Sequence, residues 1–99
     1  MIHLIEYVGE PAVYEHLAEE CSELAHAALS YARYLRGENP MNPYTTKDVL
    51  LAELSEESTD VLFLLEEVGL DSPNEPLYNE KVKRAIGRLA DTKKIRKRS

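Results

Sequence analysis

Two pairs of acidic residues are the part of this chain whose types and spacing indicate chemistry. Glu20 and Glu23 lie in an alanine-rich segment, and Glu57 and Asp60 lie in a leucine-rich one. Three residues are nearly one turn of an α-helix, so both carboxylates of a pair can point towards the same place. Two such helices facing each other would supply four oxygen ligands, which suits a hard cation such as Mg²⁺, with Mn²⁺ as a substitute.

The acids border the expected apolar stripes of their helices rather than the fully solvated faces. On a helical projection Glu53, Glu57 and Asp60 lie within about 60° of one another, and Glu20 lies beside Leu24. A partly buried carboxylate costs several kcal/mol unless a cation or a donor compensates it. Neither residues 11–32 nor residues 48–68 contain Lys or Arg.

The competing interpretation is that these acids are simply solvated. One pair at this spacing is common on exposed helices. Recurrence on two successive helices favours the metal site. Because Mg²⁺ is usually shared with substrate phosphates, the expected substrate carries phosphate groups.

A cluster of basic residues on the third expected helix offers a complement to the acids. Lys81, Arg84 and Arg88 lie within about 60° of one another, at the edge of an apolar stripe. They could hold a phosphate chain, or they could equally pair with the acidic part of the protein. The sequence leaves both interpretations open.

Composition and charge bound the class of protein. With 99 residues and 43% apolar content, residues 1–99 suit a single domain with one modest core. Residues 1–80 carry 17 acids against three bases, which argues against nucleic acid as the main partner. The basic end, residues 93–99, is expected to be frayed. No long apolar run or secretion signal is present, so we expect a cytoplasmic protein with no membrane partner.

Helix signals place the first acidic pair on a long helix. Pro11 suits a first turn and Gly37 a stop, which predicts a helix from Glu10 to Arg36. The lone Cys21 is expected to be a half-buried, small apolar filler beside the core stripe. That stripe consists of Val13, Leu17, Leu24, Ala28, Tyr31 and Leu35.

The second acidic pair falls on the next predicted helix. Thr45 or Thr46 can cap a helix that runs to Val68 before Gly69, after a loop from Gly37 to Thr46. Its expected core stripe is Leu50, Leu54, Val61, Leu64, Leu65 and Val68.

A third helix is predicted from Leu77 to about Ala90, and the only candidate strand is Ile2–Val8. The apolar positions of the third helix are Leu77, Tyr78, Val82, Ala85 and Leu89. The fold class is therefore all-α, a helical bundle of three main helices plus short terminal segments.

A rival metal interpretation comes from Glu23-x-x-His26, a spacing used by di-iron helical bundles. Those bundles need a second Glu-x-x-His, and the partner motif here is Glu57-x-x-Asp60. Iron is therefore disfavoured. His3 and His16 have no ligand partner at a suitable spacing and are expected at the surface.

The acidic pattern resembles that of the MazG-like nucleotide pyrophosphohydrolases, the all-α NTP pyrophosphatase superfamily. The resemblance extends from about Pro11 to Leu89, because the basic third helix also fits the family. The residues that carry it are Glu19-Glu20-Cys21-Ser22-Glu23-Leu24 followed by Glu53-Leu54-Ser55-Glu56-Glu57-Ser58-Thr59-Asp60-Val61-Leu62.

The resemblance implies a metal-dependent enzyme, with a ligand set, a reaction and an oligomeric state. Glu20, Glu23, Glu57 and Asp60 would bind Mg²⁺, and the reaction would hydrolyse a nucleoside triphosphate to a monophosphate and pyrophosphate. The family also implies a homodimer or a dimer of dimers with active sites between subunits. Related members act on other nucleotides, so a phosphoribosyl-ATP-type pyrophosphohydrolase is an alternative.

The remaining roles are less determined by the sequence. Glu53 could orient or deprotonate the attacking water, with Glu19 the poorer candidate because it points away from Glu20. Lys81, Arg84 and Arg88 would hold the outgoing pyrophosphate. Tyr31, Tyr34 and Tyr44 are candidates to contact the base, although tyrosines at helical spacing are more often core residues.

Two further observations keep alternatives open. The 33 residues between Glu23 and Glu57 are long for the family, so the loop from Gly37 to Thr46 could shape a distinct pocket.

A non-catalytic helical assembly or regulatory module is the rival from another class. In it the same acids would pair with the basic helix of a neighbouring copy.

Overall fold

Four α-helices make up the chain in the computed structural model, which describes residues 3–38 and 46–98, with 92–98 described by their backbone only. They are α1 (Leu4–Val8), α2 (Glu10–Leu35), α3 (Lys47–Glu67) and α4 (Glu75–Arg98). The described residues contain no strand. The prediction of an all-α fold with three main helices is confirmed.

The first segment is a short helix where the sequence allowed a strand. The structure has α1 at Leu4–Val8, while Ile2 lies outside the described residues. The N–H of Gly9 donates to the carbonyl of Ile5 at 3.0 Å and closes the last turn. Gly9 has φ +86°, a conformation that glycine adopts at little cost, so the chain can turn directly into α2.

The ends of α2 and α3 agree with the sequence signals. Thr46 caps α3, because its side chain accepts a hydrogen bond from the backbone N–H of Val49 at 3.3 Å. Gly37 and Gly69, with φ +69° and +75°, follow the C-termini of α2 and α3. Residues 39–45 of the predicted loop lie outside the described residues.

The core lies between α2 and α3, which run antiparallel. Its buried side chains are Val13, Ala27, Leu50 and Leu64. The stripe predicted on α3 is confirmed, since its other four members are all half-buried. Residues late in α2 meet residues early in α3: Ala27 shares a groove with Glu53, whereas His16, earlier in α2, shares one with Leu64.

The stripe predicted on α2 is partly wrong. Ala28 and Leu35 are exposed, and so is Cys21, which therefore does not fill the core of a single chain. The inner face instead passes through Ala27 and Glu20. The buried position of Ala27 and the half-buried position of Glu20 place the acidic edge of α2 against α3.

Helix α4 differs most from the expectation. It begins at Glu75, where Asn74 Oδ1 accepts from the N–H of Leu77 at 3.1 Å, and it continues past Ala90 to Arg98. Residues 88–98 contain no glycine or proline that would stop it.

The apolar stripe predicted on α4 is wholly exposed, as is every described side chain from Glu75 to Asp91. Helix packing within the chain joins α2 to α3 and α1 to α2, while α4 lies outside this layer. The radius of gyration is accordingly 18.3 Å. A compact chain of this length would have roughly 13 Å.

None of the helices in the described part of the chain is long and apolar enough to cross a membrane.

Candidate metal centre

Three of the predicted acids converge at the junction of α2 and α3. Glu20, Glu23 and Glu57 each offer one carboxylate oxygen, and these three oxygens all lie within 4.8 Å of one another. Glu20 and Glu57 are half-buried, whereas Glu23 is exposed. Among the described residues, this is the one group of three or more potential ligands that could hold a metal ion.

Two oxygens of this cluster lack a partner. Glu20 Oε2 and Glu57 Oε2 are buried atoms without a hydrogen bond. Glu20 Oε1 is 3.2 Å from His16 Nε2, which gives that carboxylate a single neighbouring nitrogen. Buried carboxylate oxygens are normally compensated by donors or cations. An all-oxygen, anionic set with unpartnered atoms fits Mg²⁺ better than it fits a softer metal.

The electrostatics of Glu57 reflect this crowding. Burial raises its pKa to about 7 from 4.5, and a side-chain hydrogen bond with Glu23, the charge of Glu23 and the charges of Glu20 and Asp60 add to the effect. The pKa of Glu20 is also raised, by burial first and then by the charges of Glu23 and Asp60, while His16 opposes the shift. A proton or a cation would relieve the repulsion.

An open groove extends from the cluster along the first half of α3. Its volume is about 590 Å³, within the range of roughly 300–1,000 Å³ that small-molecule sites occupy. The predicted water-orienting residue, Glu53, lies in it and is exposed. The groove is lined by Ser22, Glu23, His26, Ala27, Glu53, Glu56 and Glu57.

A smaller groove of about 230 Å³ lies on the other side of the cluster and holds Asp60. Asp60 is outside the group of three converging carboxylates but close enough for its charge to raise the pKa of both Glu20 and Glu57. The lining residues are His16, Glu20, Asp60, Phe63 and Leu64. Asp60 therefore lies beside the three carboxylates without converging with them.

The basic residues on α4 are not brought to the acids by the packing of a single chain. Arg84 forms an ion pair with Glu80, one turn away on the same helix. Lys81 and Arg88 are exposed, like their neighbours. Since helix α4 lies outside the α2–α3 layer, a phosphate-holding role for these three residues stays a prediction.

The tyrosines considered for base recognition line neither groove. The rings of Tyr31 and Tyr34 stack with centroids 6.4 Å apart near the C-terminus of α2. Tyr44 lies outside the described residues.

The contact between His16 and Glu20 was not predicted from the sequence. His16 and Glu20 are four residues apart, the spacing at which helical side chains meet, and this spacing could have revealed the contact. His26 lines the larger groove but is not part of the converging group, which contains carboxylates only.

No family model, curated protein or solved structure matches this chain. The resemblance to the MazG-like enzymes therefore depends on the acidic pattern itself. The geometry adds that three of the four carboxylates in that pattern converge.

Proposed function

We propose that this chain is a Mg²⁺-dependent nucleoside triphosphate pyrophosphohydrolase that releases a nucleoside monophosphate and pyrophosphate. The observation that carries the proposal is the convergence of Glu20, Glu23 and Glu57, two of which have a buried oxygen without a partner. The proposal includes the cytoplasmic location expected from the sequence, and the homodimer or homotetramer that the resemblance implies.

We assign roles to the acids from the proposed metal site and from the grooves in which they lie. Glu20, Glu23 and Glu57 would hold the ion, and Asp60 would join them from the smaller groove. Bound Mg²⁺, or Mn²⁺ in its place, would offset charge on the phosphates and lower the pKa of a coordinated water. Glu53 lies in the same groove as Glu57, where it could orient that water or accept its proton.

The test measures the release of pyrophosphate and orthophosphate from standard and damaged nucleoside and deoxynucleoside triphosphates, with Mg²⁺ and with a chelator. Phosphoribosyl-ATP belongs in the same panel, because turnover of that nucleotide alone would select the biosynthetic alternative. We expect pyrophosphate release that requires Mg²⁺.

Two variants on α3 distinguish the loss of a proposed metal ligand from the loss of a negative charge elsewhere on the helix. Glu57→Gln removes one ligand with little change of shape, and Glu66→Gln makes the same change at an exposed position outside both grooves. We expect Glu57→Gln, and likewise Asp60→Asn, to lower turnover by roughly 10²–10³-fold, as for the loss of one group that stabilises transition-state charge. Glu66→Gln should retain wild-type turnover.

Other outcomes would contradict the proposal. Turnover that survives the chelator, or that is equal in the Glu57→Gln and wild-type proteins, would remove these acids from the chemistry. Silence across the panel, combined with a changed assembly mass in Glu57→Gln, would favour the non-catalytic helical assembly.

A further inference from the structure

A histidine lies one helical turn before the first acid of the cluster. His16 Nε2 is 3.2 Å from Glu20 Oε1, which is within hydrogen-bond distance. Side chains of a helix lean towards its N-terminus, so the side chain of Glu20 points back over the turn that carries His16. The contact therefore forms within α2 and does not depend on how α3 packs.

The two carboxylate oxygens of Glu20 have different surroundings. Oε1 contacts the imidazole, whereas Oε2 is buried without a hydrogen-bond partner. An ionised carboxylate accepts hydrogen bonds and cannot donate them, so Nε2 of His16 must carry the proton in this contact. The imidazole therefore occupies one oxygen and leaves the other for a cation.

A carboxylate at the end of a long side chain needs a restraint of this kind. The last torsion of a glutamate, χ3, is broad and roughly two-fold, so packing alone does not select the direction of the two oxygens. A hydrogen bond to one oxygen selects it. Carboxylates that bind metal ions are commonly held by such partners.

The exposure of the two side chains suits this arrangement. The side chain of Glu20 is 14% exposed, whereas that of His16 is 48% exposed. His16 lines the smaller groove beside Asp60 and is not one of the buried core residues. A substitution at His16 should therefore change the contact with Glu20 and leave the packing of α2 on α3 almost unaltered.

His16 is not itself a member of the converging group. The ligand atoms that lie within 4.8 Å of one another belong to Glu20, Glu23 and Glu57. A side chain that contacts one ligand without joining the ligand set acts on the metal ion through that ligand.

We propose that His16 is a positioning residue of the metal centre: its Nε2–H donates to Glu20 Oε1 and holds the carboxylate so that Oε2 stays available to the ion. The inference rests on the metal site of the proposed function, but it concerns metal binding and not the hydrolysis of a nucleotide. It gives His16 no contact with the ion or with the substrate.

The test measures Mn²⁺ binding to the full chain without nucleotide, at pH 8, where Glu57 is mostly ionised. Electron paramagnetic resonance follows the free ion. His16→Leu removes the donor and should weaken binding roughly 10–100-fold. His16→Gln supplies an amide donor at the same position and should bind Mn²⁺ within about threefold of the wild type.

Two further comparisons show whether the effect passes through Glu20. In a Glu20→Gln background, His16→Leu should change the affinity by less than about threefold, because the carboxylate that His16 holds is already absent. His26→Leu makes the same change at an exposed histidine of α2 that lines the larger groove. We expect it to bind Mn²⁺ like the wild type.

The wild-type chain provides a readout if His16→Leu fails to fold. The imidazole ¹⁵N chemical shifts at saturating Mg²⁺ show which ring nitrogen of His16 carries the proton. We expect the proton on Nε2, the tautomer that can donate to Glu20. A proton on Nδ1 alone would overturn the proposal, since Nε2 could not then donate.

Three binding results would also overturn the proposal. One is wild-type affinity in His16→Leu. Another is equal weakening by His16→Leu and His26→Leu. The third is an effect of His16→Leu that is just as large in the Glu20→Gln background. In each case the wild type still binds Mn²⁺, so the metal site would stand without this role for His16. A wild type that binds no Mn²⁺ would instead remove the metal site, and with it both the proposed function and this inference.

Discussion

Helices α2 and α3 form two sides with different unmet interactions. One side has carboxylates without partners, and the other has apolar side chains exposed to water. On the acidic side, Glu20 and Glu57 have buried carboxylate oxygens without partners. On the opposite side, Leu29 and Leu62 expose apolar surface to water. A cation would complete the first side, and a protein surface would complete the second.

This difference teaches that the two sides of one helix pair can be tested separately, because the side chains on each side face different surroundings. The core between the sides is thin, since only four hydrophobic side chains are buried in the described residues. A substitution on one side should therefore change one property and leave the other almost unaltered. The following predictions test that separation.

The largest expected effect after the loss of activity is on metal affinity. Glu23→Gln removes one of the three converging oxygens and should weaken Mg²⁺ binding at least about tenfold, the scale of even an indirect disturbance of a metal site. Calorimetric titration with Mg²⁺ measures it. Glu15→Gln, at an exposed position of α2 outside both grooves, is the matched control.

The assembly mass of the same Glu23→Gln variant shows whether a change on the acidic side also affects the opposite side of the helix pair. Glu23→Gln should sediment like the wild type, because Glu23 lies on the acidic side and the change leaves the opposite side of the pair untouched. If Glu23→Gln bound Mg²⁺ as tightly as Glu15→Gln does, the converging carboxylates would not be the metal site. If it sedimented as a smaller species, the two sides would not be independent.

The second prediction concerns pH and the acidic side alone. In the folded chain Glu57 keeps its proton up to about pH 7, whereas in the unfolded chain it loses the proton near 4.5. Between these values the folded state binds more protons, so the free energy of unfolding falls as pH rises. This stabilising contribution is complete below pH 4.5 and is lost as pH rises through 7.

The measurement compares the thermal midpoints of the wild type and Glu57→Gln in chelator. The wild type should lose a few degrees relative to the variant between pH 5 and pH 8. Saturating Mg²⁺ at pH 8 should reverse the loss in the wild type. A difference between the two proteins that stays constant with pH would mean that Glu57 titrates normally.

The sequence predicted what depends on neighbours along a helix. The caps at Thr46 and Gly69 and the shared direction of Glu20 and Glu23 follow from local rules, so the helices and the acidic cluster could be anticipated. The rotation of α2 towards Ala27 could not, because it depends on how closely α3 approaches.

The exposure of α4 was also beyond the sequence pattern. An amphipathic stripe such as that of Leu77, Val82 and Leu89 shows that a helix has a face to bury, but not against which surface. The same argument applies to Cys21. Its small, apolar side chain suits a core, yet it lies on an exposed face of α2.

The smallest predicted effect compares two carboxylates of α3 on the same side of the pair. Glu67 Oε1 accepts a hydrogen bond from the N–H of Leu4 at 3.0 Å, whereas its buried Oε2, 3.5 Å from His3 Nδ1, makes no hydrogen bond. Glu67→Ala should therefore lower the free energy of unfolding by about 1 kcal/mol, as for the loss of a helix cap.

Urea denaturation of Glu67→Ala and of Glu66→Ala, its exposed neighbour, measures this difference. In chelator near pH 8, Glu57→Gln should change stability in the opposite direction, because it removes an unfavourable charge rather than a favourable contact. If both substitutions destabilised the chain equally, burial alone would govern these acids. Opposite signs would instead show that the neighbours of each carboxylate decide its contribution, as expected if Glu57, and not Glu67, belongs to the proposed cation site.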